Sequence, residues 1–255
     1  MTAGALIFAF NNDQIDYVAM AEWSAKNIKR HLGIPTRIVT NKDVETVGTN
    51  GRYFSDYGTN VVWHNESRVD AYALSPWEQT LVLDADYVVA SDQLKVLLNS
   101  DQEFLAHRLA YDVTQINDFS GLNSFGEHHT PMWWATVMMF RRSQHAQLIF
   151  ECMTMIRDNW THYRNLYKNH VHTYRNDHAL SIALGIVNGH TLNHPDIPWK
   201  LASLTPEHKI KQLDKDEYRI DFLTPEQKPR WITLKNQDFH AMGKKQLGEI
   251  VANPC

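Results

Sequence analysis

Two aspartates that directly follow an apolar run constrain this chain more than any other feature. The last three of residues 80–83 (TLVL) are apolar, and Asp84-Ala85-Asp86 comes immediately after them. A short apolar run of this kind predicts a strand that is buried on both faces, as in a parallel sheet. Carboxylates beside such a strand cost free energy unless they have partners. The pair therefore predicts a polar site at the carboxyl end of a strand, where ligands bind in open α/β sheets.

The first 40 residues predict an α/β fold. Residues 5–10 (ALIFAF) form an apolar run that ends in Asn-Asn-Asp, which indicates a buried strand followed by a polar loop. Apolar residues with helical spacing occur throughout Tyr17–Leu32, and Gly33 and the following residues end this helix. Residues 36–40 (TRIVT) predict a second strand. A strand, a helix and a strand in this order indicate a sheet covered by helices.

The rest of the pattern predicts a single domain, residues 1–255, in which the part from about 195 onward forms a C-terminal subdomain, extension or lid. Further strands are predicted at residues 61–63, 80–83, 88–90, 104–109, 134–140, 218–222 and 231–234. Further helices are predicted at residues 67–74, 92–98, 143–163 and 177–184, the last of them ended by Gly185. Residues 111–130 lack periodicity, and irregular stretches of this length are often functional.

Charge, cysteine content and hydropathy exclude several classes of protein. The formal net charge is −4, which argues against a chain coated in basic charge for nonspecific nucleic-acid binding. The two cysteines, Cys152 and Cys255, do not make a disulfide framework, so a reducing compartment is expected. The first apolar run has no basic flank, unlike a signal peptide, and the later runs are too short to span a membrane. The sequence therefore predicts a soluble, cytoplasmic protein.

On a turn, the carboxylates of Asp84 and Asp86 can converge on one divalent cation. Mg²⁺ and Mn²⁺ prefer oxygen ligands and commonly bridge carboxylates to substrate phosphates. A bare Asp-x-Asp pattern also occurs in plain polar turns. The buried strand that precedes this one is what favours a metal site.

Several short motifs along the chain resemble one family when they are taken in order. They are the opening FAFNNDQIDY, Arg68 in SRVDAY, the LVLDAD segment, and DFHAMGKK with His240, Gly243 and Lys244. In this order they resemble the GT-A fold glycosyltransferases, especially the retaining, galactosyltransferase-like group that includes glycogenin and bacterial lipopolysaccharide sugar transferases. The resemblance runs from about residue 5 to 245, and only the short motifs match well. The chain also resembles short GT-A-type proteins of tailed bacteriophages, which would place it in the host cytoplasm.

The resemblance implies a GT-A type, Rossmann-like mixed sheet flanked by helices and a nucleoside-diphosphate sugar as donor, a UDP-sugar first of all. It implies Mn²⁺ or Mg²⁺ as cofactor, with Asp84, Asp86 and His240 as metal ligands. Lys244 and Arg68 would stabilise the departing diphosphate, although Lys245 competes with Lys244 for this role. An alternative for Arg68 is a solvated charge on a helix.

The nucleotide-sugar site implied by the resemblance draws on several parts of the chain. Its residues would be Phe10, Asn11, Asp13, Arg68, Ala85, Trp134, Gly243 and Lys244. Asn11 and Asp13 have a second interpretation as caps of the helix that follows, since Asn and Asp are favoured there. Trp133 and Trp134 would form a stacking wall for a sugar or base, or else belong to the core.

Asp177, in the segment RNDHAL, stands where the family carries an acid near the acceptor and the anomeric carbon. His178 replaces a glutamine that is common there, which is a departure from the family pattern. The alternative interpretation of Asp177 is a residue at a helix N-terminus, where Asp is expected in any case.

The acceptor and two other functions stay open from the sequence. Basic and aromatic residues alternate between His162 and His178, a pattern that can bind phosphates and stack bases. A hydroxylated base in modified phage-type DNA is therefore one alternative acceptor, beside a glycan or small molecule. A nucleotidyltransferase would also use carboxylates and a metal, but the loop after the first strand has no glycine-rich, basic sequence. A non-catalytic nucleotide-sugar-binding protein is the remaining alternative.

Overall fold

The described part of the chain covers most of the sequence. The computed structural model describes residues 2–40, 42–43, 64–191 and 193–253. The predicted strand at residues 61–63, and most of the predicted loop at residues 41–60, lie outside these ranges. Among the described residues, no helix combines the length and the apolar character that crossing a membrane requires.

Helices and strands alternate in the first two thirds of the chain, and strands dominate the last third. The helices are α1 (Tyr17–Leu32), α2 (Ala71–Leu74), α3 (Lys95–Leu98), α4 (Gln144–Asp158), α5 (Trp160–Leu166), α6 (Asn176–Val187) and α7 (Lys244–Ala252). The first nine strands are β1 (Ala3–Phe8), β2 (Thr36–Val39), β3 (Gln79–Asp84), β4 (Tyr87–Val88), β5 (Phe104–His107), β6 (Ala110–Asp112), β7 (Ser124–Phe125), β8 (Thr130–Pro131) and β9 (Trp134–Arg141). The others are β10 (Leu201–Leu204), β11 (Lys209–Asp214), β12 (Glu217–Leu223), β13 (Pro229–Lys235) and β14 (Phe239–Ala241). Two 3₁₀ segments cover His64–Asp70 and Ser120–Leu122.

The main sheet has five strands in the order β2-β1-β3-β9-β5. β1 is parallel to β2 and β3, whereas β9 is antiparallel to β3 and β5. The central strands are buried on both faces, and α1 and α6 pack beside them. The predicted mixed α/β sheet flanked by helices is therefore confirmed. β1 ends two residues earlier than the sequence predicts, so Phe10 lies beyond the strand.

A second sheet of four short strands, in the order β4-β14-β10-β6, carries the C-terminal part of the site. β14 is antiparallel to β4, and His240 pairs with Tyr87, the residue after Asp86. β10 and β14 thus join strands from the first half of the chain. The separate three-stranded antiparallel sheet β11-β12-β13 lies within the proposed C-terminal subdomain, whose boundary near residue 195 stays a prediction.

Helix α1 has the bounds that its sequence predicts. The carboxylate of Asp16 accepts a hydrogen bond from the backbone N–H of Ala19 at 2.9 Å, so Asp16 is the N-cap. Gly33 ends the helix with φ +74°, a left-handed conformation that glycine adopts without steric cost.

Two other helix predictions were wrong in detail. The helix predicted at residues 143–163 is interrupted at Asn159, which separates α4 from α5. The buried face of α4 runs through Ile149 and its helical neighbours, whereas Leu148 and Met155 are exposed. Gly185 lies inside α6 and does not end it, since glycine weakens a helix only modestly when the helix is packed in the core.

Candidate active site

The ends of β3 and β14 bring three metal-binding side chains together. Asp84 is the last residue of β3, and the turn after it places Asp86 beside His240. The backbone N–H of Ala241 donates to the carbonyl of Asp86 at 2.9 Å, which fixes this turn against β14. Asp84, Asp86 and His240 each offer one ligand atom, and these three atoms lie within 4.8 Å of one another.

This donor set fits a divalent cation. Two carboxylate oxygens suit Mg²⁺ and Mn²⁺, and an imidazole nitrogen is accepted more readily by transition-metal ions than by Mg²⁺. The Nδ1 of His240 is buried and has no hydrogen-bond partner among the described residues, while its Nε2 lies 3.5 Å from Oδ1 of Asp86. Mn²⁺ therefore matches the three side chains better than Mg²⁺ does.

Asp86 is the electrostatic centre of the site. It is only 4% exposed, and its Oδ2 lies 3.5 Å from Nζ of Lys244. Burial by itself raises the pKa of Asp86, but His240 and Lys244 outweigh it and hold this pKa well below its usual range. Burial likewise lowers the pKa of His240, and the Asp86 carboxylate outweighs it, so the net shift is upward.

Lys244 begins α7, and Gly243 is the N-cap of this helix. A positive charge at a helix N-terminus is unfavourable, because the helix dipole is positive there. Asp86 supplies the compensating charge and raises the pKa of Lys244. Lys245 is exposed. Of the two lysines that compete from the sequence, Lys244 is the one that reaches the acid pair.

Arg68 is buried inside the site, which contradicts its interpretation as a solvated helix charge. It is 3% exposed, forms an ion pair with the carboxylate of Asp84, and donates to the carbonyl of Ala135 at 2.9 Å. Burial lowers the pKa of Arg68, but Asp84, helped by Asp177 and Asp86, outweighs it and raises this pKa overall. The guanidinium group therefore holds Asp84 in place.

Asp177 is connected to Arg68 through the backbone of one residue. Its Oδ1 accepts a hydrogen bond from the N–H of Ala135 at 2.8 Å, and its Oδ2 accepts one from Arg175 at 3.2 Å. Ala135 thus contacts Arg68 through its carbonyl and Asp177 through its N–H. The structure brings Asp177 to the same region as the acid pair, in the first turn of α6.

The residues after β1 have mainly local contacts. Asn11 accepts from the N–H of Val18 at 2.9 Å and donates to Asp16 at 2.8 Å, so it helps to cap α1. Asp13 is exposed in the loop, and its alternative interpretation as the helix cap is wrong because Asp16 occupies that position. Phe10 is half-buried, with its ring 6.4 Å from that of Phe8. A nucleoside pocket at Phe10, Asn11 and Asp13 stays a prediction.

Both tryptophans at the start of β9 are buried. Trp134 is 5% exposed, and its Nε1 has no hydrogen-bond partner within the described part of the chain. Trp133 is equally buried and lines a cavity beside α6. The predicted nucleotide-sugar contact of Trp134 therefore stays untested, as do those of the buried Ala85 and Gly243.

Tyr17 is a site residue that sequence reasoning missed. It was recognised only as the start of α1, although it lies in the electrostatic field of the site. Burial raises the pKa of its hydroxyl, the carboxylates of Asp86 and Asp84 raise it further, and Lys244 opposes them. Its position at the helix start, directly after the β1 loop, is the signal that was available in the sequence.

No protein-family model matches this chain, and no curated protein does. Its structure is similar to that of the galactosyltransferase LgtC, with a TM-score of 0.43 and 14% identity over 71% of this chain and 70% of the other. Its similarity to mouse xyloside xylosyltransferase 1 has a TM-score of 0.44 and 11% identity, over 78% of this chain and 87% of the other. For the glycosyltransferase GlyE of Streptococcus pneumoniae TIGR4, the TM-score is 0.41 and the identity 13%, over 77% of this chain and 45% of that one. All three are glycosyltransferases. The TM-scores lie below 0.5, and the function proposed below rests on the residues of the site.

Proposed function

We propose that this protein is a metal-dependent glycosyltransferase that moves a sugar from a nucleoside-diphosphate sugar, a UDP-sugar first of all, to a hydroxyl acceptor. One observation carries the proposal. Asp84, Asp86 and His240 converge within 4.8 Å, and Lys244 contacts the same Asp86 carboxylate from the N-terminus of α7. A cation site beside a lysine and a helix N-terminus is an environment suited to a diphosphate.

Different residues of the site bind the nucleotide sugar and stabilise the departing diphosphate. A cation held by the trio would supply charge neutralisation for the leaving diphosphate. Lys244 contributes a fixed positive charge next to it, which stabilises negative charge as it develops. Arg68 acts through Asp84, because its contacts to Asp84 and Ala135 fix the position of that carboxylate.

In the proposed reaction, Asp177 is the carboxylate next to the acceptor hydroxyl. In the proposed transfer, the bond between the anomeric carbon and the diphosphate oxygen breaks and a bond to the acceptor oxygen forms. The proton of the acceptor hydroxyl leaves with the diphosphate. The sugar carries positive charge in an oxocarbenium-like transition state, which a nearby carboxylate stabilises. The two hydrogen bonds that Asp177 accepts, from Ala135 and Arg175, fix the orientation of its carboxylate.

The alternative of a DNA acceptor is less well supported, because the segment from His162 to His178 exposes few aromatic rings. Of the aromatic residues that alternate with basic ones between His162 and His178, Tyr174 is fully buried and Tyr163 and Tyr167 are half-buried. Arg164 contacts His172 within the same segment. Stacking of bases requires exposed ring faces. The nucleotidyltransferase alternative lacks the basic phosphate loop that it needs after β1.

The proposal is tested with a panel of nucleotide sugars and three single variants. Wild type, Asp84→Ala, Asp86→Ala and the control Asp92→Ala are incubated with each donor and Mn²⁺, and release of the nucleoside diphosphate is measured. Asp92 is an exposed aspartate near the site in sequence, and its ion pair with Lys95 is a surface contact. The two site variants should lose at least about 100-fold in Mn²⁺-dependent release, on the scale of losing a key electrostatic contact. Unchanged release in Asp84→Ala and Asp86→Ala, or none from the wild type with any donor, contradicts the proposal.

A further inference from the structure

A cavity of about 470 Å³ opens beside the C-terminal half of α6. Its floor is buried and includes Trp133, Ser181 and Leu184, whereas His190 and Thr191 at its mouth are exposed. The volume lies in the range of pockets that hold small ligands. Of the residues considered above for the nucleotide sugar or the metal, Trp133 alone is among its lining residues.

Ser181 connects the floor of this cavity to Asp177. The side-chain hydroxyl of Ser181 donates to the carbonyl of Asp177 at 2.6 Å and accepts from the N–H of Trp133 at 2.7 Å. Ser181 is one helical turn after Asp177, which corresponds to a rise of about 6 Å. Ala135, two residues after Trp133, contacts Asp177 through its backbone N–H and Arg68 through its carbonyl. Hydrogen bonds therefore connect the floor of the cavity, through Ser181 and the backbone of residues 133–135, to Asp177 and the region where transfer is proposed.

The lining of the cavity is aromatic and carries no permanent charge. Trp133 packs edge-on against His194 at 5.1 Å between ring centroids, and Tyr167 packs against His190 at 6.2 Å. Within the described part of the chain, no Asp, Glu, Lys or Arg lines the cavity. An anionic acceptor, such as a nucleic-acid backbone, would need cationic groups here.

The polar groups of the lining match hydroxyls. Burial lowers the pKa of His194 to about 4, so its imidazole is neutral at pH 7; its Nδ1 pairs with the side-chain amide of Asn188 at 3.3 Å, which leaves Nε2 for a ligand. Its Nε2 is buried and has no hydrogen-bond partner among the described residues. Thr130 and Thr191 add hydroxyl groups. Aromatic faces pack against the apolar face of a sugar ring, while groups of this kind bond its hydroxyls.

We propose that this cavity is the acceptor pocket and that it takes a neutral sugar ring that bears the receiving hydroxyl. The inference rests on the proposed function and extends it to the acceptor. It predicts that a neutral glycoside binds at His194 and Trp133 without the help of the metal trio.

The test measures binding of p-nitrophenyl β-D-glucoside, galactoside and xyloside by saturation-transfer NMR. Gly185→Leu fills the cavity from α6, because a Cβ at Gly185 points at His190, whose exposed ring can move aside. Thr191→Trp covers the mouth from an exposed position. Thr233→Trp, an equally large change at an exposed residue of β13, is the matched control. Stabilisation of each variant by UDP with Mn²⁺ is recorded in parallel by thermal unfolding.

At least one glycoside should bind the wild type and the Thr233→Trp variant equally, with Kd raised at least 10-fold in Gly185→Leu and Thr191→Trp. UDP with Mn²⁺ should stabilise all four proteins to the same extent, which also shows that they are folded. Absence of glycoside binding to the wild type, or equal binding by the cavity variants, overturns the inference. Displacement of the glycoside by single-stranded DNA overturns it in favour of a nucleic-acid acceptor. If UDP with Mn²⁺ has no effect on any of the proteins, the proposed function fails, whatever the glycosides do.

Discussion

The Nζ atom of Lys244 lies 3.5 Å from Oδ2 of Asp86, although Lys244 begins a helix at the end where positive charge is unfavourable. Asp86 is almost fully buried and also faces His240 at 3.5 Å. Two basic side chains therefore converge on one carboxylate. This arrangement is suited to binding a cation through Asp86 and His240 and, next to it, a diphosphate through Lys244.

Replacement of Lys244 separates the binding of the diphosphate from the binding of the metal. Lys244→Gln removes a positive charge beside the leaving group, so nucleotide-sugar turnover should fall by about 100-fold. Mn²⁺ should bind this variant at least as tightly as it binds wild type, because a repelling cation is gone. Steady-state kinetics and Mn²⁺ titration by electron paramagnetic resonance measure the two effects. Lys245→Gln, at an exposed neighbour, is the control and should behave as wild type; equal loss in both variants would contradict a specific role for Lys244.

Removal of Arg68 should destabilise the metal-free protein strongly. Arg68→Met leaves Asp84 next to Asp86 without its buried cationic partner, and breaking a buried ion pair from one side typically costs about 3–5 kcal/mol. Urea unfolding measures the difference. Lys235→Met, which breaks the exposed pair with Glu217, should cost about 0–1 kcal/mol. Mn²⁺ should recover part of the loss in Arg68→Met, since a cation again faces Asp84; a loss below about 1 kcal/mol would show that Arg68 does not support the carboxylate.

His240 should make the metal-free protein depend on pH in a defined direction. Because Asp86 raises the pKa of His240 above the ordinary 6.5, the protonated imidazole contributes stability below that value, and this contribution is lost as pH rises through the raised pKa. The stability advantage of wild type over His240→Gln should therefore shrink from pH 6 to pH 9 in the presence of a chelator. Thermal unfolding across this range measures it.

With Mn²⁺ bound, the contribution of His240 to stability should rise with pH instead of falling, since a metal ligand must be the neutral imidazole. The stabilisation that Mn²⁺ gives to wild type should grow with pH and be weak in His240→Gln. If the difference in stability between wild type and His240→Gln is the same with Mn²⁺ and with chelator, and is constant from pH 6 to pH 9, His240 is not a metal ligand.

Gly126 supports one wall of the proposed acceptor pocket. It has φ +67°, and a Cβ at this position would come within 2.3 Å of the backbone oxygen of Tyr167, a residue that lines the cavity. Gly126→Ala should therefore destabilise the protein by more than about 1 kcal/mol. Gly248→Ala, in α7 with open space around the new Cβ, should stabilise it by about 0.5–1 kcal/mol. Chemical denaturation measures both, and equal effects of the two variants would contradict the close approach at Gly126.

Local signals in the sequence predict much of the fold. The bounds of α1 follow from its apolar spacing and from Gly33, and β3 follows from the apolar run before Asp84. The break at Asn159 was not predictable from periodicity, because α5 continues the helical pattern directly. Of the second sheet, only β4 overlaps a predicted strand, at residues 88–90, since strands of two to four residues carry too little alternation to be recognised.

The site depended on more than local pattern. The proximity of His240 to Asp86 follows from the pairing of β14 with β4, a long-range contact that the sequence suggests only through the resemblance of its motifs. The choice between Lys244 and Lys245 required the orientation of α7. The bridge from Arg68 through Ala135 to Asp177 involves backbone atoms, which leave no signature in residue type.

The most direct test of the central claim is isothermal titration calorimetry of UDP into the metal-loaded protein. With Mn²⁺, one UDP should bind per chain, and a chelator, Asp86→Asn or His240→Gln should each weaken binding at least about 10-fold, or about 1.4 kcal/mol. Binding of UDP with the same affinity in the presence of chelator, or in Asp86→Asn, would show that the convergence of Asp84, Asp86 and His240 is not a metal–diphosphate site.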